Sequence, residues 1–364
     1  MKNVSNLSTE TFNLSSPQKA VNRLGIVILN WNGAGMLKKY LPSVIKNSVG
    51  DVIVADNGST DDSLKMMGEE FPEIRTIVFN QNYGFAEGYN RALELLKDEY
   101  EYFILLNSDV EIRQDKWDEI LINYMDEHPE CAACQPKLLS LRKPDEFEYA
   151  GAAGGFLDKY GYPFCRGRIF NIIEKDKGQY DTITNILWAT GAALFVRSKD
   201  YFTAGELDSR FFAHMEEIDF CWRLRTMGRR IVCIPQSTAY HLGGASLNYG
   251  NPRKTYLNFR NNLVMLYKNL RKEELFPILF VRFLLDVIAA LKFLFTLQFA
   301  HFWAVVKANY NFYTTFKNWL PARTSIQAKR SNTKIPERKD FSILWEYYVK
   351  RRKTFDNLPT TQTS

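Results

Sequence analysis

The segment YFILLNSD, residues 102–109, is the stretch that decides how this chain is organised. Five consecutive aromatic and aliphatic residues predict a strand that is buried on both faces. Asn107, Ser108 and Asp109 follow at the point where this strand must end. A buried strand with polar residues at its carboxyl end predicts a ligand site at the edge of a sheet.

Three similar strands precede this segment, and each is followed by a helical pattern. They cover GIVILN at residues 25–30, DVIVA at residues 51–55 and a run at residues 74–79. Such alternation predicts an α/β, Rossmann-like fold, with a mostly parallel sheet flanked by helices. Ligands of these sheets bind beyond the carboxyl ends of the strands, where this chain places Asn30, Asp56, Asn82 and Asp109.

A dinucleotide-binding dehydrogenase is the first alternative for such a fold. Its fingerprint, G-x-G-x-x-G, directly follows the first strand because the glycines form the turn that approaches a pyrophosphate. Here NGAG at residues 32–35 is followed by Met36, Leu37 and Lys38, without a third glycine. The sequence therefore disfavours this class.

Asp109 has two interpretations from the residues alone. A carboxylate at the exit of a buried strand costs desolvation free energy unless a partner compensates it. A divalent cation that bridges to phosphates is one such partner, since Mg²⁺ takes few protein carboxylates and completes its shell with phosphate oxygens. The other interpretation is an N-cap for a helix predicted to begin near Gln114.

Four ordered motifs carry a family resemblance: ILNWNG (28–33), VADNGSTD (54–61), NYGFAEGYNR (82–91) and LLNSD (105–109). They resemble family 2 glycosyltransferases of the GT-A fold, most closely the bacterial rhamnosyltransferase-like branch that builds surface polysaccharides. The resemblance covers about residues 23–270. It implies an enzyme that uses Mg²⁺ or Mn²⁺ to move a sugar from a nucleoside-diphosphate donor to a glycan, typically a lipid-linked one.

The resemblance also assigns the donor site. Asp56 would recognise the base or ribose beside Asn30, and the stretch from Asn82 to Asn90 would lie along the ribose and diphosphate. The implied donor-binding residues are Asn30, Asp56, Asn82, Gly84, Asn90, Asn107, Ser108 and Gly191. Asn107 stands where the family's D-x-D motif has its first Asp, which leaves Asp109 as the expected metal ligand.

Two segments of the second half extend this resemblance. WATGAALFVR, residues 188–197, is similar to the strand behind the donor sugar, with residues 190–192 facing the pocket. Glu216, Glu217 and Asp219 open a predicted helix, where acids can simply complement the helix dipole. By resemblance to the E-D pair of inverting members, Glu217 is the expected catalytic base and Glu216 the alternative. Asp219 is expected to pair with Arg223 at i+4.

The segment HLGGAS, residues 241–246, follows a strand predicted at residues 231–234. His241 is either structural or, by the resemblance, a residue that closes over the diphosphate or completes the metal shell. Arg253, Lys254 and Arg260 either hold the leaving diphosphate or are solvated.

The C-terminal third is unusually apolar from residue 275 to 308, but Arg282, Asp286 and Lys292 interrupt it. No charge-free run reaches the roughly 20 residues that a membrane span needs. The three charges form one polar stripe, which predicts an amphipathic helix at the membrane interface. Basic clusters nearby favour an anionic membrane surface. The alternative is that these helices cover the catalytic domain or form a homodimer contact.

Composition sets the remaining expectations. From residue 322 onward there are ten Lys/Arg and four Asp/Glu, an excess equal to the net charge of +6 for the whole chain. The near-neutral body argues against a nucleic-acid partner. Five scattered cysteines, of which Cys131 and Cys134 are interpreted as buried strand residues, favour a reducing compartment. We therefore expect a cytoplasmic protein, peripheral at the inner face of the cell membrane.

The expected organisation is a flexible tail (residues 1–22), a GT-A domain (23–270) and an amphipathic helical extension with a basic tail (271–364). Two further functions stay open. One is a catalytically silent sugar-nucleotide-binding scaffold, which would explain why residues 107–109 (N-S-D) and 216–217 (E-E) differ from the family's D-x-D and E-D motifs. Both altered motifs nevertheless keep the charges that catalysis needs. A nucleotidyltransferase would carry a basic, glycine-rich signature after the first strand, which residues 31–35 lack.

Overall fold

A computed structural model of the chain describes residues 22–243, 250–331 and 334–359. The predicted N-terminal tail lies outside the described residues, apart from Asn22. The first half alternates strands and helices as predicted. Its elements are β1 (Asn22–Asn30), α1 (Ala34–Asn47), β2 (Asp51–Asp56), α2 (Ser63–Glu70), β3 (Arg75–Val78), α3 (Gly84–Leu96), β4 (Tyr100–Asn107), β5 (Val110–Glu111) and α4 (Trp117–Glu127).

The second half adds strands that complete the central sheet and form a small second sheet. Its elements are β6 (Cys131–Ser140), β7 (Gly155–Leu157), β8 (Pro163–Cys165), β9 (Arg168–Ile169), β10 (Ile172–Ile173), β11 (Thr184–Asn185), β12 (Ala193–Arg197), α5 (Ser198–Thr203), α6 (Glu216–Thr226) and β13 (Arg230–His241). Four helices follow: α7 (Pro252–Asn269), α8 (Lys272–Phe295), α9 (Phe299–Thr315) and α10 (Leu320–Ala328).

The central sheet has the strand order β11-β13-β6-β12-β4-β1-β2-β3, with β5 paired to β13. Strands β4, β1, β2 and β3 run parallel to one another, so their carboxyl ends meet at one edge. Strand β12 runs antiparallel between β4 and β6. A mostly parallel sheet flanked by helices is therefore confirmed. β7–β10 form a separate antiparallel sheet of four short strands.

Both faces of the sheet are buried, which explains why its strands lack polar alternation. In β1, Ile26 and Ile28 pack in the hydrophobic cluster that contains Leu37 and Leu41 of α1. Val27 points to the other face and packs in the cluster that contains Leu93 of α3. The interpretation of Cys131 and Cys134 is also confirmed: both are free, fully buried thiols at the start of β6.

The apolar C-terminal segment forms two helices, α8 and α9, that break at Leu297 (φ 58°). The three charged residues of the predicted polar stripe do not all face water. Arg282 and Asp286 are only 2% and 1% exposed and pair at 3.2 Å, and the Arg282 guanidinium lies 4.0 Å from the centre of the Tyr162 ring. Only Lys292 of the stripe is exposed. The two charges face inward because Tyr162 and Asn309 solvate them within the protein.

The outer face of α8 and α9 is instead apolar. Its exposed side chains are Phe276, Phe280, Phe283, Leu284, Val287, Ile288, Leu291, Phe295, Phe299, Trp303, Val306 and Tyr310. We call this surface the apolar face. Scattered apolar residues are normal on a protein surface, but a contiguous set of this size marks an interaction surface. None of the described helices is both long and apolar enough to cross a membrane.

The C-terminal extension is packed onto the rest of the chain. Ile278, Phe312 and Ile343 lie in the same hydrophobic cluster as Val27 and Leu93. The carboxylate of the buried Asp158, in the turn after β7, accepts a hydrogen bond from the backbone N–H of Ile343 at 2.9 Å. The domain boundary near residue 270 stays a prediction, since the core runs across it.

Candidate active site

The polar residues predicted at the carboxyl edge meet there because the parallel register aligns the strand ends. Asn30 pairs with Asp56 in the ladder, and the Asn30 amide donates to the Asp56 carboxylate at 3.0 Å. Asp56 also accepts from the Ser59 backbone N–H at 2.9 Å. Asn30 Oδ1 is buried without a hydrogen-bond partner among the described residues. A buried acceptor left open at a strand end is suited to bind a ligand N–H or O–H.

The glycine-rich stretch packs directly beside this edge. Asn82 Oδ1 accepts hydrogen bonds from Gly84 N at 2.8 Å and from the Asn57 amide at 3.1 Å. Gly84 has φ 79° at the start of α3, a conformation that disfavours any residue with a side chain. Asn57 holds the loop from the other side by accepting from Tyr83 N at 3.0 Å. The backbone at Gly84 is therefore held in place beside the carboxyl edge of the sheet.

Asn90 lies on α3 but is used differently from the prediction. It is buried, and its Oδ1 accepts from the Tyr201 hydroxyl at 2.6 Å and from Leu207 N at 3.1 Å. Its amide nitrogen donates to Leu207 O at 2.7 Å. These contacts join α3 to the segment after α5. We therefore do not include Asn90 in the proposed donor site.

A second cluster forms around Asp109 and His241. His241 is the last residue of β13, and β13 pairs with β5 so that His241 lies opposite Val110. Its Nε2 lies 3.1 Å from Asp109 Oδ1 and 3.4 Å from the Asn107 amide nitrogen. Its Nδ1 lies 3.2 Å from Glu148 Oε1, an ion-pair distance, although the geometry is not aligned for a hydrogen bond. Ser108 is half-buried beside this cluster.

Charge in this cluster is balanced within the protein. Burial opposes ionisation of Asp109, but the hydrogen bond and charge of His241 hold its pKa below the ordinary value. For His241, burial acts to lower the pKa, but the hydrogen bond to Asp109 and the nearby carboxylate charges of Glu148 and Asp109 outweigh it and raise the pKa to about 10. The N-cap interpretation of Asp109 is wrong, because α4 begins at Trp117 with Lys116 as its N-cap residue.

The same residues fit a divalent cation. Asp109 Oδ1 and His241 Nε2 are 3.1 Å apart, the separation of adjacent ligands that each lie about 2.0–2.2 Å from one ion. Glu148 contacts the other ring nitrogen, as carboxylates that orient metal-binding histidines do. No group of three His, Cys, Asp or Glu side chains converges on one point in the described part of the chain. The other coordination positions would thus belong to phosphate oxygens or water.

The turn before β12 connects this cluster to the acidic pair. Asn107 N donates to Ala192 O at 3.0 Å, and the Thr190 hydroxyl donates to Ala150 O at 2.6 Å. Gly191 between them borders the site: a Cβ on it would lie 3.2 Å from Phe85 Cζ and 3.8 Å from Glu217 Cβ. Of the three residues predicted to face the pocket, Gly191 is partly exposed, while Thr190 and Ala192 are buried.

The loop that leads into α6 has an unusual backbone. Phe212, His214 and Met215 have φ of 68°, 69° and 75°, values that cost free energy for residues with side chains. Three such residues just before Glu216 and Glu217 indicate that the position of these acids is maintained against local strain. We call residues 211–217 the acid loop.

The two glutamates share a poorly solvated environment. Each has a buried Oε2 without a hydrogen-bond partner among the described residues, although Glu217 as a whole is only partly buried. Burial raises the pKa of Glu217 to about 7. Hydrogen bonds from backbone N–H groups of the first helical turn act to lower this pKa, but burial outweighs them. Burial and the charge of Glu217 raise the pKa of Glu216 well above its ordinary value. Glu217 can therefore exchange a proton near neutral pH.

Asp219 has the structural role predicted for it. Arg223 Nε donates to its carboxylate at 3.0 Å, which confirms the i+4 pair. Lys268 and Asn269 of α7 also contact this carboxylate, each at 2.7 Å. Asp219 thus anchors α6 to α7.

Sequence reasoning missed three residues that shape the site: Glu148, Asn57 and Asn261. Asn57 lies within the quoted VADNGSTD motif, so its position was available as a signal. Glu148 and Asn261 belong to no motif. Asn261 is fully buried on α7, and its amide donates to the carbonyl oxygens of Phe211 at 3.0 Å, Ala213 at 2.8 Å and His214 at 2.8 Å. It therefore holds the acid loop.

Replacing Asn261 with leucine is expected to displace the acid loop, because the carbonyl groups of Phe211, Ala213 and His214 each lose a hydrogen bond from its amide. We expect a loss of about 2–4 kcal/mol in the free energy of unfolding. We also expect kcat to fall by about tenfold at most, while the KM for the donor changes little. The matched control is Asn262→Leu, which removes a buried hydrogen bond to Gly161 O, outside the acid loop. Denaturant titration and steady-state kinetics would decide. Equal kcat in the two variants would contradict a positioning role.

Comparisons with known proteins find a family profile and several relatives that match this chain. The profile of Glycosyl transferase family 2 matches residues 25–187. An N-acetylglucosaminyl-diphospho-decaprenol L-rhamnosyltransferase of Mycobacterium tuberculosis is 25% identical over 236 residues, which are 60% of this chain and 75% of the relative. The rhamnosyltransferase WbbL of Escherichia coli is 23% identical over 224 residues, 59% of this chain and 82% of that protein.

Among solved structures, GalNAc-T7 with UDP, GalNAc and Mn²⁺ superposes with a TM-score of 0.53 at 13% identity. The match covers 68% of this chain and 48% of that one, so the chain spans about half of its length. At this identity the likeness concerns the fold alone. The chain carries a family 2 glycosyltransferase domain with a GT-A fold. The curated relatives described above are rhamnosyltransferases, so the chain is similar to the rhamnosyltransferase-like branch of that family.

Proposed function

We propose that this chain is a metal-dependent, inverting glycosyltransferase that moves a sugar, with rhamnose as the first candidate, from a nucleoside-diphosphate donor to a lipid-linked glycan. The observation that carries the proposal is the pair Glu216–Glu217. Both carboxylates have an oxygen without a hydrogen-bond partner in the described part of the chain, and Glu217 lies next to Gly191. An acid whose pKa is raised to about 7 can act as a general base at neutral pH.

In the proposed reaction Glu217 removes the proton from an acceptor hydroxyl as its oxygen attacks the anomeric carbon. The new glycosidic bond forms on the face opposite the leaving group, while the bond from the anomeric carbon to the donor diphosphate breaks. One base suffices for this single displacement, whereas a retaining double displacement needs a carboxylate nucleophile as well. The proton ends on Glu217, and the nucleoside diphosphate leaves as an anion.

The donor would lie along the carboxyl edge of the sheet. Asn30 and Asp56 would contact its base or ribose, and Asn82, Gly84, Asn107, Ser108 and Gly191 would surround the ribose, diphosphate and sugar. Asp109 and His241 would hold Mg²⁺ or Mn²⁺, which when bound neutralises charge on the departing diphosphate. Glu148 would keep the His241 ring in place.

The test is nucleotide release from a panel of sugar nucleotides, including thymidine and uridine diphosphate sugars, with and without Mg²⁺ or Mn²⁺. We expect one donor to be turned over with a lipid-linked acceptor, and its nucleoside diphosphate to be released only when metal is present. Inversion is checked by the anomeric configuration of the product. Donor binding without turnover, with acceptor supplied, would favour the silent scaffold.

The apolar face is proposed to rest on the inner surface of the cell membrane. It combines aromatic and aliphatic side chains with flanking cations, such as Arg271 and Lys272 at the start of α8, which suit anionic lipid headgroups. A lipid-linked acceptor would be presented at this surface. A homodimer contact is the alternative occupant.

A charge on the apolar face should release the protein from membranes. We expect Ile288→Glu, at a side chain that is 63% exposed, to lower binding to phosphatidylglycerol vesicles by roughly tenfold or more. The matched control is Leu95→Glu on α3, at a side chain that is 60% exposed and outside the face. Vesicle co-sedimentation measures both. Unchanged vesicle binding of Ile288→Glu, with a dimer that dissociates instead, would assign the face to self-association.

A further inference from the structure

Phe212, in the acid loop, has a strained backbone conformation. Its φ is 68° and its ψ is −57°, and Ala213 N donates a hydrogen bond across it to Phe211 O at 2.9 Å. These features define a γ-turn whose central residue has a positive φ, a turn that is rare because it is strained. The fold therefore maintains the position of Phe212 at a cost in free energy.

The two phenylalanines of this turn have opposite environments. Phe211 is fully buried, and its ring centre lies 5.9 Å from that of Trp319. Its carbonyl oxygen accepts hydrogen bonds from Asn261 and Arg260 of α7, at 3.0 and 3.4 Å. Phe212 is 47% exposed. A single exposed phenylalanine needs no explanation by itself, but a ring that anchored, strained backbone presents to solvent indicates a binding role.

Phe212 and Glu217 lie in the same part of the site, because both approach the start of α3. A Cβ on Gly84 would lie 3.9 Å from Phe212 Cδ2. A Cβ on Gly191 would lie 3.2 Å from Phe85 Cζ and 3.8 Å from Glu217 Cβ. Since Gly84 and Phe85 are consecutive residues, the exposed ring lies close to the proposed base.

The surroundings of the ring define the chemistry of a ligand. The Arg253 guanidinium lies 4.6 Å from the ring centre and covers part of it, which leaves an exposed apolar surface. Glu216 and Glu217 of the same loop each have a buried oxygen without a hydrogen-bond partner in the described residues, and Glu216 is only 5% exposed. A neutral pyranose suits both features, because its C–H face packs on an aromatic ring and its hydroxyl groups donate to carboxylate oxygens.

We propose that Phe212 is the surface on which the sugar ring of the acceptor stacks, so that its attacking hydroxyl is oriented towards Glu217. This inference rests on the proposed function and names a residue that binds the acceptor. A base must lie within hydrogen-bond distance of the hydroxyl whose proton it removes, so the acceptor sugar must lie against the acid loop. The donor edge is formed instead by the strand ends, where Asn30 and Asp56 are buried.

Binding of simple pyranosides tests Phe212 without turnover. Saturation-transfer NMR would measure the affinity for the methyl glycosides of glucose, galactose, mannose, rhamnose and N-acetylglucosamine, with Mg²⁺ and saturating uridine or thymidine diphosphate. We expect at least one glycoside to bind the wild type, and to bind Phe212→Ala roughly three- to tenfold more weakly. Phe212→Tyr keeps the ring and should keep the affinity.

Two further variants control this experiment. Tyr348→Ala removes an aromatic side chain that is 50% exposed and lies outside the acid loop, and it should bind glycosides as the wild type does. Phe212→Leu keeps an apolar side chain but loses the ring, so it should show the same loss of affinity should the alanine variant fold poorly. Thermal denaturation identifies a variant that folds poorly.

Several results would overturn the inference. They are a wild type that binds none of the glycosides, equal glycoside affinity of the wild type and Phe212→Leu, and an affinity for the sugar nucleotide that falls in Phe212→Ala while glycoside binding is unchanged. The last result would assign the ring to the donor and leave the proposed transferase activity intact. A protein that binds glycosides through Phe212 but releases no nucleotide from any sugar nucleotide would instead contradict the proposed function.

Discussion

The Glu217→Gln protein should transfer sugar about 10²–10⁴-fold more slowly than the wild type, with donor affinity changed by no more than about twofold. Glutamine keeps the shape of the side chain but cannot accept the proton of the attacking hydroxyl. Because Glu217 Oε2 has no hydrogen-bond partner in the described residues, the substitution breaks no contact of that atom. Steady-state kinetics and donor titration measure the two quantities.

The adjacent acid provides the matched control. Glu216→Gln replaces the neighbouring carboxyl group at the same helix end, and we expect it to retain most of the activity. If Glu216→Gln were the inactive variant and Glu217→Gln the active one, the base would be Glu216. A loss of donor binding in Glu217→Gln would refute the role of base, since it would place Glu217 against the donor.

The pH dependence follows from the raised pKa of Glu217. A base must be deprotonated, so kcat should rise with pH through about 7.

Stability should change in the opposite direction. The folded-state pKa lies above the ordinary value of 4.5, so the contribution of this group to the free energy of unfolding is fully present below that value. It is lost as pH rises through about 7, and Glu217→Gln should remove this slope.

The second large effect is expected for Asp109→Asn. Asparagine keeps the shape but loses the charge that a divalent cation requires, so kcat/KM should fall by about 10²–10³-fold and the response to Mg²⁺ or Mn²⁺ should disappear. Donor binding should weaken only in buffers that contain metal. Donor titration with and without Mg²⁺ measures this difference.

Asp115→Asn is the control for Asp109→Asn, because it removes the same charge from an exposed position six residues away. It should behave as the wild type. Metal dependence that survives in Asp109→Asn would show that Asp109 is not a ligand. Thermal denaturation completes the test, since a role limited to pairing with His241 would lower stability without changing the response to metal.

Local patterns in the sequence were sufficient to predict the fold and the polar residues at the carboxyl edge of the sheet. Apolar runs alternating with helices predicted the parallel sheet, and the polar residues after each run predicted that Asn30, Asp56 and Asp109 meet at one edge. This works because a parallel sheet aligns all strand ends by its hydrogen-bond register, so the position of a residue within its own strand determines where it lies.

Contacts between distant segments were decided only by the tertiary structure. Glu148 meets His241, Asn261 of α7 binds the carbonyl groups of the acid loop, and Asn90 is used by Leu207. Arg282 and Asp286 likewise face the protein, because Tyr162 and Asn309 are there to solvate them. Periodicity determines which face of an element is buried. Which side chain a distant element presents to that face depends on how helices and loops pack, and no local pattern contains that information.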